Sequence, residues 1–206
     1  MYLNSLEMFL NERHVDKKDT VVIFEITMID LTNDGEIDEK DFMDRAKLLG
    51  SLGETVLITN FKEYYRLVEY FSLYTKKKIG LTMGVNNLVR IFDPKYYTHL
   101  SGGILEAFGK LFFKKTKIYL YPELNDKEEI VNSDNLKVHP RMKELYKFLK
   151  FNGKVVDLDK YNLNSLKIYS HEVLAKIKKN SKGWESVLPK AVASKIKKFN
   201  LFGFNK

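Results

Sequence analysis

The sequence predicts an α/β fold: a mainly parallel sheet of about five strands, three-layered, with helices on both faces. Two observations carry that expectation. Short β-branched runs alternate with longer segments whose apolar residues recur at helical spacing, the pattern of βαβ units with right-handed crossovers. A chain of 206 residues, 44% of them hydrophobic, also has enough apolar material to cover such a sheet on both sides. The expected organisation is an N-terminal helix over residues 1–19 followed by one α/β domain over 20–206.

The elements follow in order. Leu3, Leu6, Phe9 and Leu10 are spaced for an amphipathic helix over 2–13, and "TVVIFEITMI" (20–29) reads as a buried strand. Phe42, Met43, Ala46 and Leu49 mark a helix over 39–52, which Gly53 closes in a left-handed conformation. "TVLITNF" is a strand, "KEYYRLVEYFSLYT" a helix and "KIGLTMGV" a strand; "VNNLVRIF" is a helix that stops before Pro94. "GGILEAFGKLFF" is a helix and "TKIYLYPE" a strand, followed by a polar, acidic connection over 125–138. "HPRMKELYKFLKFNG" has proline near its first turn and glycine past its end, so it is a well-marked helix. "KVVDL" is the fifth strand. Two basic helices, "SHEVLAKIKKN" and "LPKAVASKIKKFN", close the chain. Val173, Leu174, Ile177, Val192 and Ile196 are expected to face the sheet, with Trp184 and Leu188 packing the turn between them.

In such sheets ligands sit beyond the carboxyl ends of the strands. That rule selects residues 27–35, 59–61, 83–87 and 121–123, and with them Thr27, Asn60, Gly84 and Asn86 as candidate ligand-binding residues.

Composition narrows the function classes. With no cysteine, disulfides and thiolate zinc sites are excluded. No run of about 18 apolar residues suggests a membrane span, and the acid-bearing start does not read as a signal peptide, so a cytoplasmic protein is expected. The net charge of +8 is uneven: residues 171–206 carry nine lysines against two glutamates, whereas 30–41 carry six acids against Lys40. The basic end could dock an anionic macromolecule, or present a solvated face and nothing more. A partner domain or larger assembly is a further possibility that the sequence leaves open.

The acidic stretch "DLTNDGEIDEKD" has the register of a calcium loop, with Asp30, Thr32, Asp34, the Glu36 carbonyl, Asp38 and Asp41 at the ligating places and Gly35 at the turn. Against calcium stand an aspartate at the twelfth place, a threonine at the third, a strand rather than a helix before the loop, and no second loop. It therefore reads as a solvated turn whose acids favour the start of the next helix. Asp30, Asp34 and Asp38 remain weak metal candidates.

The four histidines, His14, His99, His139 and His171, have no metal-ligand spacing and read as capping or surface residues. "HLSGG" (99–103) could bind an anion, or Ser101 could simply cap a helix. "VLITN" resembles the second motif of haloacid dehalogenase-like phosphatases, but Glu25 and Thr27 stand where the aspartates of their first motif would be. Tyr64, Tyr65, Tyr70, Phe71 and Tyr74 with Arg66 and Lys76–Lys78 would suit single-stranded nucleic acid, although such spacing is more often that of core.

The last 40 or so residues carry a resemblance. Ile168, Tyr169, Ser170, His171, Val173 and Leu174, then Leu188, Pro189, Val192, Lys195 and Ile196, then Leu201 to Gly203, are similar to the closing motifs of nicotinate and nicotinamide mononucleotide adenylyltransferases. "YYTHLSGGILEAFGKLFFKKTKIYLYP" looks like bacterial proteins that carry the same family label. The resemblance implies a nucleotidyltransferase-like, Rossmann-like fold and a role near NAD biosynthesis. It also implies ATP or a nicotinamide nucleotide as ligand, with Mg possible, and Ser170 and His171 as ligand contacts. The chain departs from that family at the phosphate site. The glycine- and histidine-rich opening motif is replaced by "FEITMIDLTNDGEIDEKDF", and Leu174 stands where the family has an arginine. The implied function is a nucleotide-binding or interaction protein derived from such an adenylyltransferase, with catalysis lost. Two alternatives are an active adenylyltransferase with a remodelled phosphate site and a basic module docking an anionic partner.

Overall fold

A computed structural model of the chain describes residues 1–27, 32–33, 36–113 and 115–205, with backbone alone at 32, 33, 36 and 37. Along the chain these form α1 (Tyr2–Leu10), β1 (Ile23–Thr27), β2 (Thr32–Asn33), β3 (Glu36–Ile37), α2 (Glu39–Ser51), β4 (Thr55–Thr59), α3 (Tyr64–Tyr74), β5 (Ile79–Gly84) and α4 (Val85–Ile91). Then follow α5 (Gly103–Leu111), β6 (Thr116–Tyr121), β7 (Glu123–Leu124), β8 (Ile130–Val131), α6 (Lys143–Phe151), β9 (Val155–Asp157), α7 (Leu163–Leu166), α8 (Ser170–Lys178) and α9 (Lys190–Phe199). The fold class is α/β, as expected. The chain divides into two compact units, one of Met1–Thr20 with Glu63–Asn162, the other of Val21–Lys62 with Leu163–Lys206.

The first unit holds a parallel sheet in the order β5-β6-β9. Its strands are rich in β-branched and aromatic residues, and Ile118 and Leu120 of β6 are fully buried, as a central strand covered on both faces requires. Helices α3 to α6 supply Val68, Leu88, Ile91, Ala107, Leu111 and Leu149 to the same core. At its centre Phe92 meets Phe108 and Tyr146 edge-on, with ring centroids 4.8 and 5.1 Å apart, the geometry that aromatic quadrupoles favour. Each such buried ring or aliphatic chain contributes about 1.5–3 kcal/mol. Gly53 and Gly153, with φ of +83° and +64°, end α2 and α6 in the left-handed conformation anticipated from sequence.

Helix α1 forms within the expected span; Leu6, Phe9 and Leu10 are half-buried, but its most buried residues are polar. Its buried residues are Asn4 and Ser5, while Leu3 is 66% exposed. The reason lies in the strand surface beneath it. Thr82 Oγ1 donates to Ser5 Oγ at 2.6 Å, Asn4 Nδ2 donates to Asp159 Oδ1 at 2.9 Å, and Phe9 packs edge-on to Tyr119 over Gly80. Polar partners and a missing side chain set the docking together with the Phe9 ring.

The second unit holds the parallel pair β1-β4, in register from Ile23 opposite Thr55 to Thr27 opposite Thr59, and the short antiparallel pair β2-β3. Helix α2 is capped by Asp38, whose side chain accepts from the Asp41 N–H at 2.9 Å. The basic helices close on one another: Val173, Ile177, Ala193 and Ile196 surround Trp184 and Phe204, with Leu48 of α2, Leu188 and Val192 at the margin. Their apolar faces were expected against the sheet; they build a core of their own instead. Trp184, 1% exposed, is large enough to be shared by two short helices.

Candidate functional site

The carboxyl ends of the strands gather polar groups in both units. In the first, β5 runs straight into α4, with Gly84 as the last strand residue and the residue before the helix. A side chain at Gly84 would meet nothing within 4 Å, so the space over this junction is open. The register puts Gly84 opposite Tyr121 at the end of β6. At the second residue of α4, Asn86 Nδ2 donates to Glu123 Oε2 at 3.0 Å. Burial lifts the Glu123 carboxyl above its ordinary range, and the Asn86 backbone N–H pulls it partly back. Burial likewise raises the neighbouring Tyr121 hydroxyl.

Beside them Glu123–Leu124 and Ile130–Val131, the latter from the 125–138 connection, pair as a β7-β8 hairpin. Asn125 Oδ1 accepts from the Lys127 and Glu129 N–H groups, both at 2.9 Å, which closes its turn. The far side is anchored to the sheet: Asp157, at the end of β9, accepts from the Ser133 N–H at 2.9 Å and from its hydroxyl at 2.6 Å. Tyr146 donates to the Ser133 carbonyl at 2.7 Å. The polar connection is thus anchored to the strand ends at Ser133, while residues 126–129 and 134–135 stay exposed.

In the second unit, Thr27 Oγ1 donates to the Phe61 carbonyl at 3.1 Å, and the buried Thr59 donates to Glu25. Both threonine protons are therefore engaged within the protein, and the Thr59 hydroxyl oxygen also accepts from the Phe61 N–H at 3.4 Å. Asn60 is exposed at the tip of the same turn. Ser170 and His171 open α8, both exposed, with the His171 ring 5.9 Å from that of Tyr169. Of the six residues selected from sequence, Gly84 and Asn86 lie in the first unit, and Thr27, Asn60, Ser170 and His171 in the second. Glu123 itself was not among them. Its segment was, but its pairing with Asn86 becomes legible only once β5 and β6 are known to be neighbours.

Asp30 and Asp34 lie outside the described residues. Asp38 is spent as a helix cap, and among the described residues no three His, Asp or Glu side chains converge as metal ligands. Helix α5 is capped not by Ser101 but by Glu106, which reaches back to the Gly102 N–H at 3.0 Å. A carboxylate there opposes any anion. His99 instead meets the Tyr65 hydroxyl at 3.2 Å, and His139 caps the turn before α6 by accepting from the Arg141 N–H. No helix among the described residues is long and apolar enough to cross a membrane.

The chain matches no protein-family model, no curated protein and no solved structure.

Proposed function

We propose that this chain is a nucleotide-binding protein of nucleotidyltransferase-like, Rossmann-like architecture, derived from a mononucleotide adenylyltransferase and lacking its transfer chemistry. The Asn86–Glu123 pair, beside the open Gly84 junction at the carboxyl ends of parallel strands, carries the reading. A carboxylate at that place accepts hydrogen bonds from ribose hydroxyls, the role an acidic residue plays in dinucleotide sites. The Asn86 amide orients the carboxylate and offers a donor and an acceptor of its own. ATP and nicotinamide mononucleotide are the ligands to try first, with and without Mg.

Adenylyl transfer makes a further demand. Charge building on the attacked phosphate needs fixed donors or cations, and each missing donor costs about 10²–10³ in rate. The groups at this edge are an amide, a phenol and a carboxylate, suited to recognising a nucleoside rather than to activating a phosphate. Thermal melting of the full chain against ATP, AMP and nicotinamide mononucleotide tests the proposal. A nucleotide at a hundredfold its dissociation constant adds about 2.7 kcal/mol, a rise of about 5–10 °C for a chain of this size. Melting that is indifferent to all three nucleotides at millimolar concentration contradicts it.

A further inference from the structure

The second unit gathers three lysines around one aromatic ring. Lys47 Nζ of α2 stands 5.0 Å from the Phe199 ring centre, and Lys195 and Lys198 Nζ of α9 stand 5.9 and 5.5 Å from it. Lys195 and Lys198 share a face of α9 because they are three residues apart, and Lys47 reaches them from the neighbouring helix. Among the described residues none of the three ammonium groups is in an ion pair. The acids closest to them in sequence have hydrogen-bond partners of their own. Asp44 accepts from the Phe202 N–H at 2.6 Å, Asp41 pairs with Arg45 at 2.5 Å, and Glu185 pairs with Lys197 at 2.7 Å.

Like charges brought together repel, and the ring quadrupole offsets that repulsion in part. The pull of a helix C-terminus on cations accounts for Lys198 in the last turn of α9. It does not account for Lys47, which comes from a different helix. A compact, multiply charged anion would satisfy all three.

We infer that Lys47, Lys195 and Lys198 form a binding site for an oligophosphate chain, independent of the Asn86–Glu123 site. Phosphate oxygens suit ammonium donors, which act as point charges with three rotatable N–H groups and need no bidentate geometry. Lys47 and Lys198 are exposed, so the anion reaches them from solvent. Single-stranded nucleic acid fits less well, because it needs aromatic faces open for base stacking, and the Phe199 ring is half-buried with ammonium groups around it.

The test is calorimetric titration of the full chain with inorganic tripolyphosphate at low ionic strength. Saturable binding is expected, weakening as salt is added. Lys47→Gln, Lys195→Gln and Lys198→Gln should each lower affinity about tenfold, the worth of one charge-assisted hydrogen bond. The Lys195→Arg/Lys198→Arg variant retains binding, Lys18→Gln leaves it unchanged, and circular dichroism confirms that each variant melts as the parent does. The inference fails if tripolyphosphate does not bind, or if the triple glutamine variant binds it as well as the parent. It fails too if these lysines capture an oligothymidylate or phosphatidylserine vesicles while tripolyphosphate is ignored.

Discussion

Asn86 and Glu123 meet at 3.0 Å across the carboxyl ends of two parallel strands, and the carboxylate they share is held in a partly dry setting that resists its charge. A carboxyl whose folded pKa is raised costs the fold nothing below its ordinary value and an increasing amount as pH rises from there through the raised value. Glu123→Gln keeps an oxygen for the Asn86 amide and removes the buried charge. Its melting temperature at pH 7 is expected to equal or exceed that of the parent, while stabilisation by nucleotide falls away. A lower melting temperature together with intact nucleotide stabilisation would make Glu123 a structural acid.

The acid limb of stability should depend on Glu12. Burial works to raise its pKa, but hydrogen bonds from Lys117, Lys78 and Tyr119 outweigh it and bring the value from 4.5 down to about 2. Lys78 Nζ lies 2.8 Å and the Tyr119 hydroxyl 2.6 Å from the carboxylate. A depressed folded pKa means stability that is whole above pH 4.5 and is lost as pH falls towards 2. The amount at stake is about 3 kcal/mol. Urea melts of the parent and of Glu12→Gln between pH 6 and pH 2.5 check it: the gap between them should close as pH drops.

Gly80 is where α1 meets the sheet. A methyl group there would stand 3.0 Å from Phe9 Cδ2 and 3.1 Å from Tyr119 Cε2, closer than carbon atoms rest. Gly80→Ala is expected to cost about 1–3 kcal/mol, as overpacking does. In a Phe9→Ala background the same substitution should cost much less, because the obstructing ring is gone. Additive losses in the double-mutant cycle would place the strain elsewhere.

How much of this was legible from the residues differs from place to place. The parallel strands and the longer helices were, because β-branched runs and helical spacing are local signals, whereas the two-residue strands and α7 were not; Gly53, Gly153 and Pro140 even marked where helices begin and end. Their partners were not. The periodicity of Leu3, Leu6, Phe9 and Leu10 marks a face of α1 that docks at Phe9 but leaves Leu3 exposed, since Ser5 and Asn4 are drawn inward by Thr82 and Asp159, far away in sequence. The carboxyl-end rule found Gly84, Asn86 and the segment of Glu123, but the pairing of Asn86 with Glu123 is a fact of strand order. The Lys47 cluster was half visible, as a lysine-rich end; that Lys47 joins it depends on how α2 meets α9.

Asp38 offers a check on the acidic stretch. Its carboxylate caps α2 by accepting from the Asp41 N–H, so Asp38→Ala should cost about 1 kcal/mol and Asp38→Asn much less. Thermal melts with and without calcium measure both effects. A calcium-dependent rise in the parent that Asp38→Asn abolishes would restore the metal reading.

Trp184 is the only tryptophan of the chain and lies 1% exposed against Phe204, ring centroids 5.7 Å apart. Trp184→Ala should cost about 3–5 kcal/mol, the range for emptying a buried aromatic site. Chemical denaturation followed by circular dichroism reads this directly, and a loss under about 1 kcal/mol would mean that α8 and α9 do not depend on their shared core.

Nucleotide binding at the Asn86–Glu123 pair is read most directly at Asn86 itself. The side-chain amide of Asn86 gives its own pair of signals in a nitrogen–proton correlation spectrum, assigned by their loss in Asn86→Asp. Titration with ATP and, separately, with nicotinamide mononucleotide is predicted to shift that pair saturably with one of them, in step with calorimetric binding. An Asn86 amide that stays still while a nucleotide saturates the protein would contradict the account, as would the absence of any nucleotide binding.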